Sequence, residues 1–346
     1  MYSKFVIEQN KNIYISYWLL LITFLVILII VVGGITRLTD SGLSITKWYL
    51  FTGSIPPLTL EKWNYTFNLY KQIPEFEIQN SSMTLSEFKV IYWWEYIHRL
   101  LGRVIGLSYL IPLLFFTIKA KLSNKKILSL YLLFFLICFQ GFIGWYMVKS
   151  GLTERIDVSH YRLSAHLTIA FLILIFLIWN FIDFFYPNSK HRSIKLPFNL
   201  PLIFIFLIFL QISLGALVSG LDAANIYQTW PLMNHNYFPD DSYIKEIFSF
   251  EALNNPSIVQ FIHRNLAYFV LFFFLFLSYK VFANNEFYHL RKIILFTFIC
   301  LLFQVILGIV VLLSGANLYI SSLHQIGSII LIISTQILIY KNSRVN

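Results

Sequence analysis

Apolar residues occur in eight long runs, which polar segments separate along the chain. Each run has about 20 residues, the length that an α-helix needs to cross a hydrocarbon core of roughly 30 Å. Membrane-spanning strands are about half as long, and every backbone amide in lipid needs a partner, so the runs predict helices. The predicted spans lie near residues 14–35, 97–118, 127–148, 163–185, 200–221, 259–282, 293–313 and 318–340.

The composition agrees with a chain embedded in lipid. Hydrophobic residues make up 58% of the chain and charged residues only 12%, whereas a soluble globular domain carries about twice that charged fraction. An ordinary soluble enzyme is therefore excluded, and the predicted fold class is an all-α membrane protein with eight transmembrane helices. The two cysteines, Cys138 and Cys300, both lie inside apolar runs, so neither a disulfide framework nor a thiolate metal site is expected.

Charged residues are distributed unevenly between the two sides of the predicted membrane, and the formal net charge is +10. If eight spans alternate in direction, lysines and arginines dominate the loops on the side of both termini, and acidic residues dominate the opposite, outer loops. The positive-inside rule then predicts that both termini lie in the cytoplasm, or in the matrix if the protein were mitochondrial. The basic charge orients the helices and indicates no nucleic-acid partner. No small-residue cleavage pattern follows the first span, so we expect it to be retained.

Motifs in the first half of the chain recur in the second half. The long outer loops follow the first and the fifth span, which is the spacing that a duplication of four helices produces. The matching pairs are GGITRLTD (33–40) with GALVSGLD (215–222), IHRLLG (97–102) with IHRNLA (262–267), and FQGFIG (139–144) with FQVILG (303–308). Because four is even, both copies have the same orientation. We expect two parallel-repeat four-helix bundles, residues 1–190 and residues 191–346.

Four histidines lie near the outer end of every second span: His98, His166, His263 and His324. In each half the two helices that carry them run parallel, so two imidazoles can meet inside a bundle. A haem iron with two axial histidines needs neutral imidazoles on opposite sides of a flat ring in an apolar slot. The repeated pairs therefore favour two bis-histidine haem sites. A duplicated hydrogen-bonding or proton-pathway contact is the alternative, whereas zinc lacks the further ligands of a tetrahedral site.

Three arginines accompany these histidines. Arg99 and Arg264 each directly follow a candidate ligand, and Arg103 lies one helical turn beyond Arg99. Haem propionates are anionic and prefer the aqueous edge, so the arginines are expected to pair with them. Alternatively, they are ordinary membrane arginines whose side chains extend to the interface.

The two halves differ beside the first histidine of each pair. Glu95 lies three residues before His98 on the same helix face, whereas the aligned residue of the second half is Gln260. A carboxylate can exchange protons or stabilise a developing cation, and an amide cannot exchange protons. The difference predicts that the first site performs chemistry and the second holds a cofactor. A structural carboxylate near a helix N-terminus is the alternative.

Longer motifs surround these residues. In the first half they are TRLTDSGLSITKW (36–48), EFKVIYWWEYIHRLLGRVIG (87–106), FQGFIGWYMVKSGL (139–152) and VSHYRLSAHLTIA (158–170). In the second half they are QTWPLMN (228–234), IHRNLAY (262–268) and SSLHQ (321–325). Over nearly the whole chain these motifs resemble the haem A synthase family, for which the WEYIHRxxGR run is highly specific.

The resemblance implies an oxidoreductase that converts haem O to haem A by oxidising the methyl group at ring position 8 to a formyl group. It implies that His98 and His166 ligate the substrate haem O in the N-terminal bundle. It also implies that His263 and His324 ligate a resident haem b in the C-terminal bundle. Glu95 is the implied catalytic carboxylate.

One histidine and one mechanistic choice remain to be assigned. An ungapped repeat alignment would pair His160 with His324, but the YRLxxHL pattern of the family includes His166, so we interpret His160 as a loop residue. Bis-histidine ligation leaves no open iron position. Either one ligand dissociates, or the methyl group is oxidised by removal of electrons. We favour the second route, in which Glu95 stabilises a cation that water traps.

The family also implies partners and a location. Haem O synthase is the expected substrate donor, cytochrome oxidase assembly is the expected context, and the electron acceptor is unknown. A homo-oligomer is left open. Some family members carry a cysteine pair in the first outer loop, which residues 36–96 lack, so the chain resembles the cysteine-free bacterial and mitochondrial branch. The composition, rich in Ile, Asn and Lys, favours a bacterial inner membrane.

Two other functional classes compete with this interpretation. A di-haem b electron-transfer cytochrome explains both histidine pairs but gives no reason for Glu95. A transporter explains duplicated bundles with polar residues such as Gln140 and Gln304. It does not explain why the four histidines share one depth.

Overall fold

The computed structural model describes residues 2–49, 52–120, 122–152, 156–186 and 194–343. Side chains are described for the same residues, except residues 2–11 and residue 198. Helices dominate this part of the chain, which also has one isolated antiparallel bridge, between Met233 and Asn236. The α-helices are α1 (Tyr2–Leu38), α2 (Leu60–Tyr70), α3 (Pro74–Ile78), α4 (Leu85–Lys119), α5 (Asn124–Gly151), α6 (His160–Phe185), α7 (Leu200–Gly220), α8 (Pro256–Ala283), α9 (Arg291–Leu313) and α10 (Leu318–Ser343). The predicted all-α class is confirmed.

Eight helices of the described residues, α1 and α4 to α10, are long and apolar enough to cross a membrane. Each overlaps one of the eight predicted spans, so the protein is a multi-pass membrane protein. The arrangement of the two repeats as parallel bundles remains a prediction.

Helix α4 begins twelve residues before the span predicted from position 97. Thr84 caps it through a reciprocal pair of bonds: its hydroxyl accepts from the Glu87 amide, and its own amide donates to the Glu87 carboxylate at 2.7 Å. This capping box satisfies two N-terminal donors that would otherwise lack partners. With 35 residues, α4 is about 52 Å long, well beyond a hydrocarbon core of about 30 Å. The apolar pattern therefore predicts the membrane span of α4 but not its N-terminal extension, residues 85–96.

The chain forms two compact units, Met1–Thr23 with Phe171–Asn346, and Phe24–Ala170. In the first unit α7 contacts α8, α8 contacts α9, α9 contacts α10, and α10 contacts α7, which closes a ring of four helices. In the second unit α4 contacts α5 and α2. The predicted domain boundary between residues 190 and 191 lies outside the described residues, and the division at that point remains a prediction.

The segment between α1 and α4, which we call the outer segment after its predicted side of the membrane, packs onto the N-terminal extension of α4 through an aromatic cluster. Phe67 stacks on Phe88 with ring centroids 4.9 Å apart, and Trp63 meets Tyr92 edge to face at 4.9 Å. Leu43, which is 2% exposed, belongs to the same buried cluster. Burial of these large side chains stabilises the fold of the segment over α4. It thereby fixes residues 43–45 beside the helix.

Glu75 is a buried carboxyl in this outer segment, 3% exposed, and its Oε1 accepts a hydrogen bond of 3.0 Å from the Tyr70 hydroxyl. Burial raises the pKa of Glu75 from 4.5 to about 8, and the bond from Tyr70 opposes this rise. In the unfolded segment the carboxyl releases its proton above its ordinary pKa, while in the folded segment it stays protonated to about pH 8. The stabilising contribution is therefore complete below pH 4.5 and is lost as the pH rises to about 8.

We expect amide hydrogen exchange in α2 and α3, corrected for intrinsic rates, to become faster between pH 5 and pH 8. A Glu75→Gln variant should flatten this dependence, because the amide does not titrate. If Glu75→Gln kept the full pH dependence of the parent protein, Glu75 would not be the group that makes exchange in α2 and α3 depend on pH.

Candidate functional site

His98 on α4 and His166 on α6 lie side by side in the unit Phe24–Ala170. Their ring centroids are 6.4 Å apart and the ring planes are inclined by 64°. The structure thus brings together the two histidines that were predicted to form a pair.

Each of the four predicted ligands lies against a glycine of a neighbouring helix. A Cβ atom placed on any of these glycines would be only 2.8 to 3.1 Å from Cε1 of the imidazole, closer than ordinary van der Waals contact. The imidazoles therefore occupy space that only glycine leaves open. The pairs are Gly33 with His98, Gly144 with His166, Gly215 with His263, and Gly308 with His324.

A glutamine precedes three of these glycines by four residues, on the same helix face. Its side-chain amide donates to the backbone carbonyl of the facing histidine at 2.9 to 3.0 Å. The pairs are Gln140 with His166, Gln211 with His263, and Gln304 with His324. The glutamine and the glycine together fix the position of the histidine-bearing turn and of its ring.

Each of the four histidines keeps a ring nitrogen available for a ligand. Nδ1 of all four is buried and has no hydrogen-bond partner among the described residues. A buried imidazole nitrogen without a partner is costly unless a bound group satisfies it. The described residues also contain no group of three or more His, Cys, Asp and Glu that could hold a metal ion. An axial histidine pair for haem fits this donor set, because such a site needs two imidazoles and no carboxylate or thiolate.

Glu95 is 3% exposed and accepts hydrogen bonds from three residues. The Ser44 hydroxyl and the Ile45 amide donate to Oε2 at 2.6 and 2.7 Å. Arg99 donates to Oε1 through Nε at 3.0 Å and through a terminal nitrogen at 2.5 Å. A guanidinium and two further donors directed at one carboxyl group favour its charged form. The arrangement fixes the Glu95 carboxyl group one helical turn from His98.

Gln260 occupies the aligned position in the other unit, Met1–Thr23 with Phe171–Asn346. Its side chain donates a hydrogen bond, whereas that of Glu95 accepts. It is 2% exposed, and its amide donates to the carbonyl of Tyr227 at 3.1 Å. Arg264 donates to the same carbonyl at 2.9 Å, just as Arg99 donates to the carbonyl of Ile45 at 2.9 Å. Both units therefore have a bond from an arginine to a loop carbonyl. The buried side chain beside that arginine is a carboxylate in one unit, Glu95, and an amide in the other, Gln260.

A cavity of about 310 Å³ lies between the segment that follows α1, α4 at Arg99 and the C-terminal end of α5. Arg99 and Lys149 line it, and each cation lies 4.9 Å from the centre of an indole ring, that of Trp48 and that of Trp145 respectively. Arg103 binds the carbonyl of Tyr49 at 3.1 Å. Two cations beside flat aromatic surfaces can bind the carboxylates of a planar ligand.

The prediction that His160 is a loop residue is wrong. His160 is the first residue of α6, is 8% exposed and lies with its ring centroid 4.2 Å from that of Tyr161. The helix begins here rather than at the apolar run from residue 163, because a hydropathy pattern does not register a polar first turn. His166 remains the residue that meets His98.

Sequence reasoning missed the partners of the histidines. The repeat motifs predict no role for the four glycines or for Gln211, and they favour Gln140 and Gln304 only as polar residues typical of transporters. The recurring Gln-x-x-x-Gly spacing is the signal that could have found them. Ser44 and Ile45 gave no such signal, because they reach Glu95 only through the fold of the outer segment.

The helices and the site define a polytopic membrane protein with paired intramembrane histidines. A family model described as cytochrome oxidase assembly protein (COX15-CtaA) matches residues 16–336. The heme A synthase of Pelagibacter ubique is 48% identical over 340 residues, 98% of this chain and 99% of the relative. That of Flavobacterium psychrophilum is 41% identical over 345 residues, 97% of this chain and 100% of the relative. That of Rickettsia bellii is 44% identical over 331 residues, covering 94% and 96%.

The chain belongs to the COX15-CtaA family of cytochrome oxidase assembly proteins. The family that the sequence motifs resemble is thereby confirmed.

If His263 and His324 bind a haem, as the sequence predicts, a methyl group added at Gly308 is expected to weaken that binding by about 10- to 100-fold. The new Cβ would lie 3.0 Å from the His324 ring and would push it out of position. Gly141→Ala is the matched control, because nothing lies within 4 Å of a Cβ there. The measurement is a haem titration of purified Gly308→Ala and Gly141→Ala, which gives the haem bound per chain in each variant. Equal binding by both variants would contradict the close-contact argument.

Proposed function

We propose that this membrane protein is a haem A synthase, an oxidoreductase that converts haem O to haem A. Haem A synthesis is the function predicted from the motifs, and the comparisons confirm it. The observation that carries the assignment within the molecule is the buried carboxylate of Glu95 beside the pair of His98 and His166. The aligned position Gln260 offers no carboxylate to the second pair.

In this proposal His98 and His166 bind the substrate haem O, and His263 and His324 hold a resident haem b. The orphaned Nδ1 atoms and the glycine contacts of all four histidines support the fit. The division into a reacting and a resident site rests on Glu95.

Arg99, Arg103 and Arg264 would bind the haem propionates at the outer edge. All three already donate to carbonyls of the outer loops, so their positive charges are fixed near that edge. Nε of Arg264 is buried and has no partner among the described residues, which leaves a donor for a carboxylate.

The reaction converts a methyl group and one water molecule into a formyl group, four protons and four electrons. As electrons leave the substrate, positive charge develops at the methyl carbon. Glu95 is already held as an anion by Ser44, Ile45 and Arg99, so it would stabilise that charge without reorganising. Water then supplies the oxygen. His263 and His324 would hold the resident haem b, which would supply one-electron transfer toward a separate electron acceptor.

We infer a bacterial inner membrane location with both termini in the cytoplasm. The basic residues on the side of the termini and the bacterial origin of the relatives support this assignment. A haem O synthase would deliver the substrate, and the product would serve cytochrome oxidase assembly.

The test uses cells that make haem O but lack their own haem A synthase, with and without this chain. Haem extracted from their membranes is separated by chromatography. New haem A in the cells that express the chain is the expected result. Purified protein that holds haem B without any haem A formation would instead support a di-haem electron-transfer cytochrome. Protein without bound haem would overturn both assignments.

A further inference from the structure

Three of the four histidines face a helix with the Gln-x-x-x-Gly pattern. The helix that faces His98 has the glycine but lacks the glutamine. On α1, Gly33 faces His98, but the residue four positions earlier is Ile29. Its Cδ1 lies 3.7 Å from a Cβ placed on Gly102, one turn beyond His98, so the side chain reaches the corresponding place on α4. An isoleucine has no amide to donate to the histidine-bearing turn.

The three intact patterns bind the histidine-bearing helix to its neighbour inside the membrane. At His263 and His324 the same glutamine nitrogen also lies 3.3 and 3.4 Å from Nε2 of the ring. Gly327, one turn beyond His324, leaves space for the amide oxygen of Gln304. One such interhelical bond changes an equilibrium by about threefold to tenfold.

The turn of α4 that carries His98 is held in a different way. Glu95 and Arg99, on either side of His98, bind the outer segment at Ser44 and Ile45. His98 is therefore positioned through a loop outside the helix bundle, and its ring meets α1 at Gly33, with no glutamine to reinforce the contact.

We propose that His98 is the releasable ligand of the substrate site, and that Gln140, Gln211 and Gln304 are positioning residues that keep the other three histidines in place. This inference rests on the proposed function. A substrate haem must enter and a product haem must leave in every cycle, whereas a resident haem stays. At the site that must exchange its haem, a glutamine holds the turn of His166, whereas the turn of His98 is held only through the outer segment. At the resident site, glutamines hold the turns of both histidines.

The experiment measures haem release from the purified full-length protein, loaded with haem O and haem B, into excess apomyoglobin. It is done without oxygen or any electron acceptor, and the haem retained is separated by chromatography. We expect wild-type protein to release haem O faster than haem B. Ile29→Gln should slow haem O release by about threefold to tenfold and leave haem B release unchanged. Gln304→Ile should accelerate haem B release by a similar factor.

Ile29→Leu is the control for the Ile29 position and should release haem O at the wild-type rate. The low-spin electron paramagnetic resonance signal, which reports imidazole orientation, should shift for the resident haem alone in Gln304→Ile. Wild-type rates in both Ile29→Gln and Gln304→Ile would overturn the proposal, as would release of haem B before haem O. Release is measured without turnover, so a chain that binds haem but makes no haem A would refute the proposed function separately.

Discussion

Replacing Glu95 by glutamine is expected to lower the rate of haem A formation by about 100- to 1000-fold while the protein still binds haem. Glutamine keeps the size of the side chain and can still accept from Ser44 and Ile45. It removes the negative charge, and its amide group would face the guanidinium of Arg99. The initial rate of haem A formation in membranes supplied with haem O measures the effect, together with the haem content of the purified variant.

Glu75→Gln is the matched control for Glu95→Gln. Glu75 is also buried at 3% exposure, but it lies in the outer segment and bonds to Tyr70 rather than to the site. The control should keep turnover close to that of the parent protein. A Glu95→Gln variant with wild-type turnover would end the role assigned to this carboxylate.

The two histidine pairs should respond differently to truncation. His263→Ala is expected to lose the resident haem b, because a single remaining imidazole leaves the iron without its second ligand. His98→Ala should keep haem b and lose turnover, since only the substrate site is altered. Haem B extracted from each purified variant and haem A formed in membranes are the two measurements.

His160→Ala is the control for loss of a buried histidine on the helix that carries His166. It begins the helix that carries His166, but the proposal gives it no ligand role, so both haem contents should persist. Equal loss of haem B from His98→Ala and His263→Ala would contradict the division of the two sites.

Most of the fold could be predicted from the sequence because lipid imposes one rule on every span. An apolar run of sufficient length must be a helix, and eight such runs gave eight helices. The start of α4 at Leu85 and of α6 at His160 could not be read from hydropathy, since both first turns are polar. The cap at Thr84 was a local signal that a search for capping boxes could have found.

The part of the candidate site that occurs in both halves of the chain could be predicted from the sequence. His98 and His263 stand in matching motifs, and the repeat identified Glu95 against Gln260. Sequence spacing could not reveal that Ser44 and Ile45 bind Glu95, because they lie about 50 residues away in the chain and meet it through the packing of the aromatic cluster.

The contrast between Glu95 and Gln260 has an evolutionary consequence. Codons for glutamate and glutamine differ by a single base. If the matching motifs arose by duplication, one such change in one copy would suffice to place a carboxylate beside one histidine pair and an amide beside the other. Within a single chain the two copies are always inherited together, so each could specialise without losing its counterpart.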